Sequence, residues 1–270
     1  MASFASSPSP APLYRFSRDR GARPVSVVVP MHDEAGGAAA LVAEIAAALA
    51  GREFEIIAVD DCSRDGTLAA LAKAGKSIPQ LRIVRHGANA GQSRAIRTGV
   101  FAARTAIIVT LDGDGQNDPA DIPVVLSRLL REDAPPLLAM VAGERRVRLD
   151  AASKRTASRL ANAVRRRVLD DGAADTGCGL KVFYREAFLR LPYFDHLHRY
   201  LPALMRREGF EVEFMPVGHR PRAHGRSKYT NLGRLRAALR DLAGVVWLKA
   251  RARSPATISE LEPGVDYDTM

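Results

Sequence analysis

The chain has 270 residues, long for one compact domain and short for two, and its 47% hydrophobic and 26% charged residues describe a globular protein. That balance excludes disorder, collagen and coiled coil. The formal net charge of +10 is unevenly spread: residues 1–140 carry 15 Lys and Arg against 15 Asp and Glu, residues 141–250 carry 23 against 11, and residues 251–270 carry 2 against 4. A basic second half is either a solvated surface or a face for an anionic partner, whether nucleic acid, phosphate or membrane headgroups. Cys62 and Cys178, the two cysteines, lie far apart without metal-type spacing, which excludes a disulfide scaffold and a zinc ribbon and makes a reducing compartment the expectation. No signal-peptide core opens the chain, and no stretch approaches the roughly 20 apolar residues that span a bilayer. A cytoplasmic chain without a membrane span is therefore expected.

In chain order, Val25 to Pro30 (VSVVVP) is a continuous β-branched run that fits a strand buried on both faces. An alanine-rich helix over 38–50 follows, then a strand at 55–60, a helix at 67–74 and a short strand at 81–85. The alternation continues with a helix at 91–104, a strand at 106–112, a helix at 119–132 and a strand at 137–143. Such an order predicts an α/β fold, Rossmann-like, with a mostly parallel sheet and helices on both faces. Beyond Gly143 the pattern loosens into a basic helix (154–169), a Gly-rich turn (175–179) and short strands near Val182 and Val212. A last amphipathic helix over 231–250 places Leu235, Leu239, Leu242 and Val246 on one stripe, with Arg236, Arg240 and Lys249 off it. The expected organisation is a loose tail (1–23), an α/β domain (24–230), the amphipathic helix (231–250) and an acidic tail (251–270).

Ligands of open parallel sheets bind beyond the carboxyl ends of the strands. Acid gathers at those ends here: His32-Asp33-Glu34 after the first strand, Asp60-Asp61 and Asp65 after the second, Asp112 and Asp114 after the fourth. Converging carboxylates repel one another unless they bind a cation, so a hard metal, Mg²⁺ or Mn²⁺, is the economical explanation. Asp65-Gly66-Thr67 reads as a helix cap, whereas the alternating pair Asp112 and Asp114 exceeds what a turn requires. Neither a dinucleotide-binding nor a P-loop glycine motif is present. A carboxylate pair carrying a divalent cation can turn a nucleotide diphosphate into a leaving group, which is glycosyl-transfer chemistry. The histidines at 196, 198, 219 and 224 lack zinc spacing and read as surface or pocket-wall residues, Cys178 reads as a packed thiol, and Trp247 fits a headgroup interface or the core equally.

The stretches VSVVVPMHDE, EIIAVDDCSRDGT, NAGQSRAIRTG, IIVTLDGDGQNDP, DTGCGLKVF and HGRSKY, in this order and spacing, resemble family 2 glycosyltransferases of the GT-A fold. Within that family the chain looks most like the polyprenyl-phosphate branch, which includes dolichyl-phosphate mannosyltransferases and bactoprenyl-phosphate glucosyl and aminoarabinose transferases. The resemblance implies donor contacts at Pro30, Asp33, Glu34, Asp60, Asp61, Gly91 and Gln92. It gives the metal and diphosphate to Asp112, Asp114 and Gln116, the neighbourhood of the transferred sugar to Asp175, and the phosphate pocket to Arg145, Lys154, Ser158, Arg222, Arg226, Ser227 and Lys228. Asp33 stands where the family commonly has Asn. An inverting enzyme is implied, moving a sugar from a UDP- or GDP-linked donor to a polyprenyl phosphate. Its expected place is peripheral, on an anionic membrane surface at the cytoplasmic face, alone or with a membrane subunit or a second copy, and without nucleic acid. The alternatives are a saccharide acceptor or a non-catalytic nucleotide-binding protein.

The basic block can also be argued from chemistry. A lipid phosphate is already anionic, so it needs positioning more than a general base, and Arg and Lys position it through charge-assisted hydrogen bonds.

Overall fold

A computed structural model describes Phe16 and residues 23–145, 168–221 and 231–252, with side chains from 238 onward in the last stretch. Seven strands and seven helices occur among these residues: β1 (Val25–Met31), α1 (Ala38–Ala48), β2 (Phe54–Asp60), α2 (Thr67–Ala74), β3 (Leu81–Arg85), α3 (Gln92–Ala102), β4 (Ile107–Thr110), α4 (Ile122–Leu130), β5 (Leu138–Arg145), β6 (Lys181–Tyr184), α5 (Arg185–Leu189), α6 (Leu201–Arg207), β7 (Glu211–Val217) and α7 (Asn231–Arg251). All seven strands form one sheet in the order β3-β2-β1-β4-β6-β5-β7.

The β-branched run of β1 is buried along its whole length, as a central strand covered on both faces requires. It pairs in parallel with β2 on one side and with β4 on the other. The chain therefore builds outward through β2 to β3, then returns through α3 to place β4 beyond β1. That reversal is the switch point at which such sheets bind ligands, beyond the carboxyl ends of β1 and β4. Right-handed crossovers put α1 and α2 on one face and α3 on the other.

The sheet is mixed rather than uniformly parallel, because β6 runs antiparallel to both β4 and β5. Strand β5 ends and β6 begins at the same edge, so β6 can only run back. This puts Lys181, its first residue, at the switch-point edge, in register with Thr110 of β4 and Ala142 of β5.

The helix expected over 119–132 divides into a 3-10 turn (Pro119–Asp121) and α4. Of the basic helix at 154–169, only the end lies within the described residues. Phe16, inside the stretch assigned to a loose tail, stacks on Tyr184 with ring centroids 4.2 Å apart.

The apolar stripe of the last helix is corrected. Val245 is fully buried and Leu242 and Leu248 pack partly against the core, while Leu239 and Trp247 are 60% and 59% exposed, with Val246 beside them. The inward face thus follows Leu242, Val245 and Leu248. Leu239, Val246 and Trp247 form a separate outward face. The side chain of Leu235 lies outside the described residues.

Candidate active site

The loops after β1 and β2 are stitched together by side chains accepting backbone N–H groups. Ser63 Oγ accepts from Asp33 N–H at 3.0 Å, Asp33 Oδ1 from Arg64 N–H at 2.8 Å, Thr67 Oγ1 from Glu34 N–H at 2.8 Å and Asp65 Oδ2 from Ala35 N–H at 3.1 Å. Asp65 also accepts from Thr67 N–H at 2.9 Å, which agrees with its reading as a cap. Asp33 sits at φ 55°, a left-handed conformation that Asp and Asn tolerate better than most residues. An acid in place of the family's Asn therefore fits both the backbone and the Arg64 N–H.

Asp60 and Asp61 are both buried. Asp60 Oδ1 accepts from Ser63 N–H at 3.1 Å, and Arg85 Nε stands 3.3 Å from Oδ2. Asp61 Oδ1 pairs with His86 Nδ1 at 2.7 Å and accepts from Ala90 N–H at 2.9 Å, while Oδ2 accepts from Gly91 N–H at 2.8 Å. Asp61 thus shapes the loop entering α3. Gly91 occupies φ 85° there, where a side chain would be strained. The next residue, Gln92, donates from Nε2 to Asp112 Oδ1 at 2.7 Å. Gly91 and Gln92, both expected near the nucleotide, therefore join the start of α3 to Asp112.

The loop after β4 packs tightly on its surroundings. A Cβ at Gly113 would lie 2.6 Å from Pro30 O, and one at Gly179 would lie 2.6 Å from both Asp112 Oδ1 and Asn117 Oδ1. Asn117 is buried, and its Oδ1 accepts from Asp112 N–H at 3.3 Å. Asp114 Oδ1 accepts from Gln116 N–H at 3.1 Å, and Gln116 O accepts from Arg220 N–H at 2.9 Å. Residues 116–117 thereby meet the chain just past β7, where His219 Nε2 stands 3.5 Å from Gln116 Nε2.

Burial, and then the Asp114 charge, push the Asp112 carboxyl up to about 6, against the opposing pull of Lys181, Arg145 and Gln92. A mutually repelling carboxylate pair with oxygen donors suits a hard divalent cation, so these residues fit one. Among the described residues no three His, Cys, Asp or Glu side chains are gathered around one point. Asp112 and Asp114 would accordingly share the cation with oxygens of the donor.

Asp175 and Arg145, assigned separately to sugar and phosphate, are one ion pair: Nε to Oδ2 is 2.5 Å and Nη2 to Oδ1 is 2.9 Å. Desolvation lowers the Arg145 pKa, but the hydrogen bond and charge of Asp175 outweigh it, for a net rise. Lys154, Ser158, Arg222, Arg226, Ser227 and Lys228 lie outside the described residues.

Behind Asp112 opens a cavity of about 490 Å³ whose wall includes Gln92, Arg145, Lys181, His198 and Arg199. Burial, with the neighbouring charges of Arg199, Lys181 and His196, holds the His198 imidazole well below its ordinary range. Its Nδ1 pairs with Ser93 Oγ at 2.7 Å, and that oxygen also accepts from His198 N–H at 3.3 Å. Lys181, Arg199 and Asn117 were not singled out in the sequence; His198 and His219 read there as surface or pocket-wall residues, and His198 does line the cavity. For Lys181 a signal existed, since a lysine opening an otherwise apolar strand (KVFY) needs a polar destination.

The model of the family described as "Glycosyl transferase family 2" matches residues 26–191. The chain belongs to glycosyl transferase family 2. It is 34% identical over 235 residues to a dodecaprenyl-phosphate galacturonate synthase of Rhizobium johnstonii, covering 85% of this chain and 68% of that protein. To an undecaprenyl-phosphate 4-deoxy-4-formamido-L-arabinose transferase of Aeromonas hydrophila it is 32% identical, covering 76% of this chain and 62% of the relative. It thus spans about two thirds of the length of these relatives. Among solved structures, glucosyl-3-phosphoglycerate synthase from Mycobacterium tuberculosis, in complex with Mn²⁺, UDP-glucose and glycerol 3-phosphate, superposes with a TM-score of 0.64 at 18% identity, covering 88% of this chain and 83% of that one. The GT-A fold of this family 2 glycosyltransferase accounts for the mixed sheet.

Proposed function

We propose that the chain transfers a sugar from a nucleotide-diphosphate sugar to a polyprenyl phosphate, in a single displacement with inversion. The carrying observation is the Asp112–Asp114 pair at the switch point, whose Asp112 lines a cavity together with Arg145, Lys181 and Arg199. A divalent cation shared by the two carboxylates would neutralise the leaving diphosphate. An acceptor phosphate oxygen forms the new bond to the anomeric carbon as the bond from that carbon to the diphosphate oxygen breaks. The acceptor arrives anionic, so no proton need be removed. Gln92 orients Asp112 through its 2.7 Å hydrogen bond, and the Arg145–Asp175 pair braces the wall beside them.

The two polyprenyl-phosphate relatives support the acceptor class and are named for different sugars, a uronate and a formamido-pentose. No helix among the described residues is long and apolar enough to cross a membrane. The outward face of α7, with Leu239, Val246 and Trp247, supplies the apolar surface for peripheral attachment instead. The test is a donor screen with purified protein, Mn²⁺ or Mg²⁺ and a short-chain polyprenyl phosphate, scored for lipid-linked sugar. Product that forms with metal and vanishes with chelator is expected. Transfer to saccharides alone would overturn the acceptor.

A further inference from the structure

The protons around His198 can be counted. Ser93 Oγ lies 2.7 Å from the imidazole Nδ1 and accepts from the His198 backbone N–H at 3.3 Å. Ser93 is 1% exposed, and its hydroxyl has no further hydrogen-bond partner among the described residues. A hydroxyl brings one proton and two lone pairs. Given to Nδ1, that proton leaves the backbone N–H, the hydroxyl and the ring nitrogen all satisfied. With the ring proton on Nδ1 instead, the buried hydroxyl hydrogen would have no acceptor, which is the costlier arrangement.

The neutral ring therefore carries its proton on Nε2. Burial and the charges of Arg199, Lys181 and His196 keep it neutral, and protonating Nδ1 would also displace the Ser93 proton. Among the described residues Nε2 has no hydrogen-bond partner, yet it is not sealed in, and the cavity is the opening that His198 lines. Other polar groups of the wall are committed. Asp112 belongs to the metal pair, Arg145 is matched by Asp175, Thr110 Oγ1 donates to Gly179 O at 2.8 Å, and Gln92 spends an amide N–H on Asp112. Lys181 and Arg199 are cations, suited to phosphate. The His198 Nε2–H is a donor without charge, and it suits the uncharged oxygens of a ligand. An anion held against it would draw a second proton onto the ring, against burial and against Ser93.

We infer that His198 is a specificity-determining residue whose Nε2–H, set by Ser93, donates a hydrogen bond to a hydroxyl of the sugar carried by the donor. The inference rests on the nucleotide-sugar reading of the site. Gln92 and Ser93 are consecutive, so the first turn of α3 holds Asp112 with one residue and the imidazole with the next. Metal pair and sugar contact are thereby built on one rigid element. A deoxy position or an ammonium group at that point of the sugar cannot answer such a donor.

Two measurements test this. Long-range ¹H–¹⁵N correlation on histidine-labelled protein reads the tautomer with no substrate present. Nε2 protonated and Nδ1 bare are expected, unmoved from about pH 5.5 to 8, with Ser93→Ala mixing the two tautomers. A ring protonated at Nδ1, or a tautomer unchanged in Ser93→Ala, would overturn the inference. Calorimetry with Mn²⁺ and no acceptor then compares UDP-glucose, UDP-galactose, UDP-xylose, UDP-galacturonate and GDP-mannose with UDP and GDP alone. For the sugar nucleotide that binds most tightly, His198→Phe should weaken binding about three- to tenfold while the bare diphosphate binds as before. His198→Gln, which keeps an amide N–H near the place of Nε2, should recover part of that loss. Should His198→Phe fail to fold, Ser93→Ala decides, with a loss of about twofold or more confined to the sugar nucleotide. Equal losses for sugar nucleotide and diphosphate would leave His198 a structural role and overturn the inference. So would unchanged binding of every sugar nucleotide, and a raised KM for a short-chain polyprenyl phosphate in that case would turn Nε2 towards the acceptor. Failure to bind any of these nucleotides would sink the nucleotide-sugar reading together with the inference. A loss confined to the sugar nucleotide, without lipid-linked product from any donor, would sink the acceptor reading and leave this inference standing.

Discussion

Asp112 works against the stability of the protein that carries it. Its carboxyl is raised to about 6 by burial and by Asp114, so at pH 7 the ionised form costs folding free energy. The sign follows from linkage: a carboxyl with a raised folded pKa loses stability as pH climbs from its unfolded value towards the folded one. Asp112→Asn removes that charge, and the amide oxygen can still accept from Gln92. In chelator at pH 7 the variant should gain about 1 kcal/mol, less than the full shift because the carboxylate keeps contact with cavity solvent. Turnover with metal should nevertheless vanish in it, and in Asp114→Asn, since neither can share a cation. Thermal melts and transfer assays on both variants check this. Full metal-dependent activity in either would remove that residue from the metal site.

The elements show how far sequence pattern reaches. The strands β1, β2 and β3 and the helix α2 were legible because β-branched runs and a Gly-Thr start leave little choice of structure. The short helices α5 and α6 were not, because five and seven residues hold too few turns to show a period. Nor could the antiparallel sense of β6 be read, since it depends on which edge the chain leaves after β5. The carboxylates after β1, β2 and β4 were visible because each follows its own strand. That Lys181 and His198 share one cavity was hidden, because only the fold brings β6 and the segment before α6 together. Glu55 of β2 is a further case, at the edge opposite the site. Burial pushes its carboxyl up, but hydrogen bonds from Ser26 Oγ at 2.6 Å, Arg104 N–H at 2.7 Å and Arg82 at 2.5 Å outweigh it and hold the pKa down. A depressed carboxyl contributes stability above its unfolded value of 4.5 and loses it as pH falls through the lower folded value. Glu55→Gln should therefore lower stability by about 1 to 3 kcal/mol at pH 7, and the gap from the unaltered protein should close as pH falls below 4.5. Urea titrations across pH 3 to 7 check it, and a gap independent of pH would show that packing, not charge, is what Glu55 supplies.

At the scale of the whole molecule, α7 connects the cavity to an unpaired apolar face. Its inner side is tied to the body from its middle to its C-terminal turn: His196 Nδ1 meets Asp241 Oδ2 at 2.9 Å, Tyr200 Oη donates to Ala238 O at 3.3 Å, and Arg207 Nε donates to Leu248 O at 3.0 Å. His196 and Tyr200 flank His198 and Arg199 of the cavity wall, so a surface that holds α7 also holds the cavity at a set place above it. Leu239, Val246 and Trp247 point away from the body, with Arg240 and Arg251 also exposed. Each apolar side chain fully buried in a bilayer interface would contribute up to about 1.5 to 3 kcal/mol, and each basic residue near an anionic surface about 1 kcal/mol. Salt screens the second contribution over about 8 Å and leaves the first. Binding should therefore be reversible, stronger on vesicles with anionic lipid, and weakened but not abolished by high salt. Leu239→Ser with Trp247→Ser should cut vesicle binding at least tenfold while moving the melting free energy by no more than about 0.5 kcal/mol, because both residues are exposed. In the presence of vesicle-borne acceptor the double variant should lose activity, and on detergent-dispersed acceptor it should keep it. Flotation that is the same for variant and unaltered protein would place the membrane contact elsewhere, and failure to float under every condition would mean that a partner brings the lipid to the cavity.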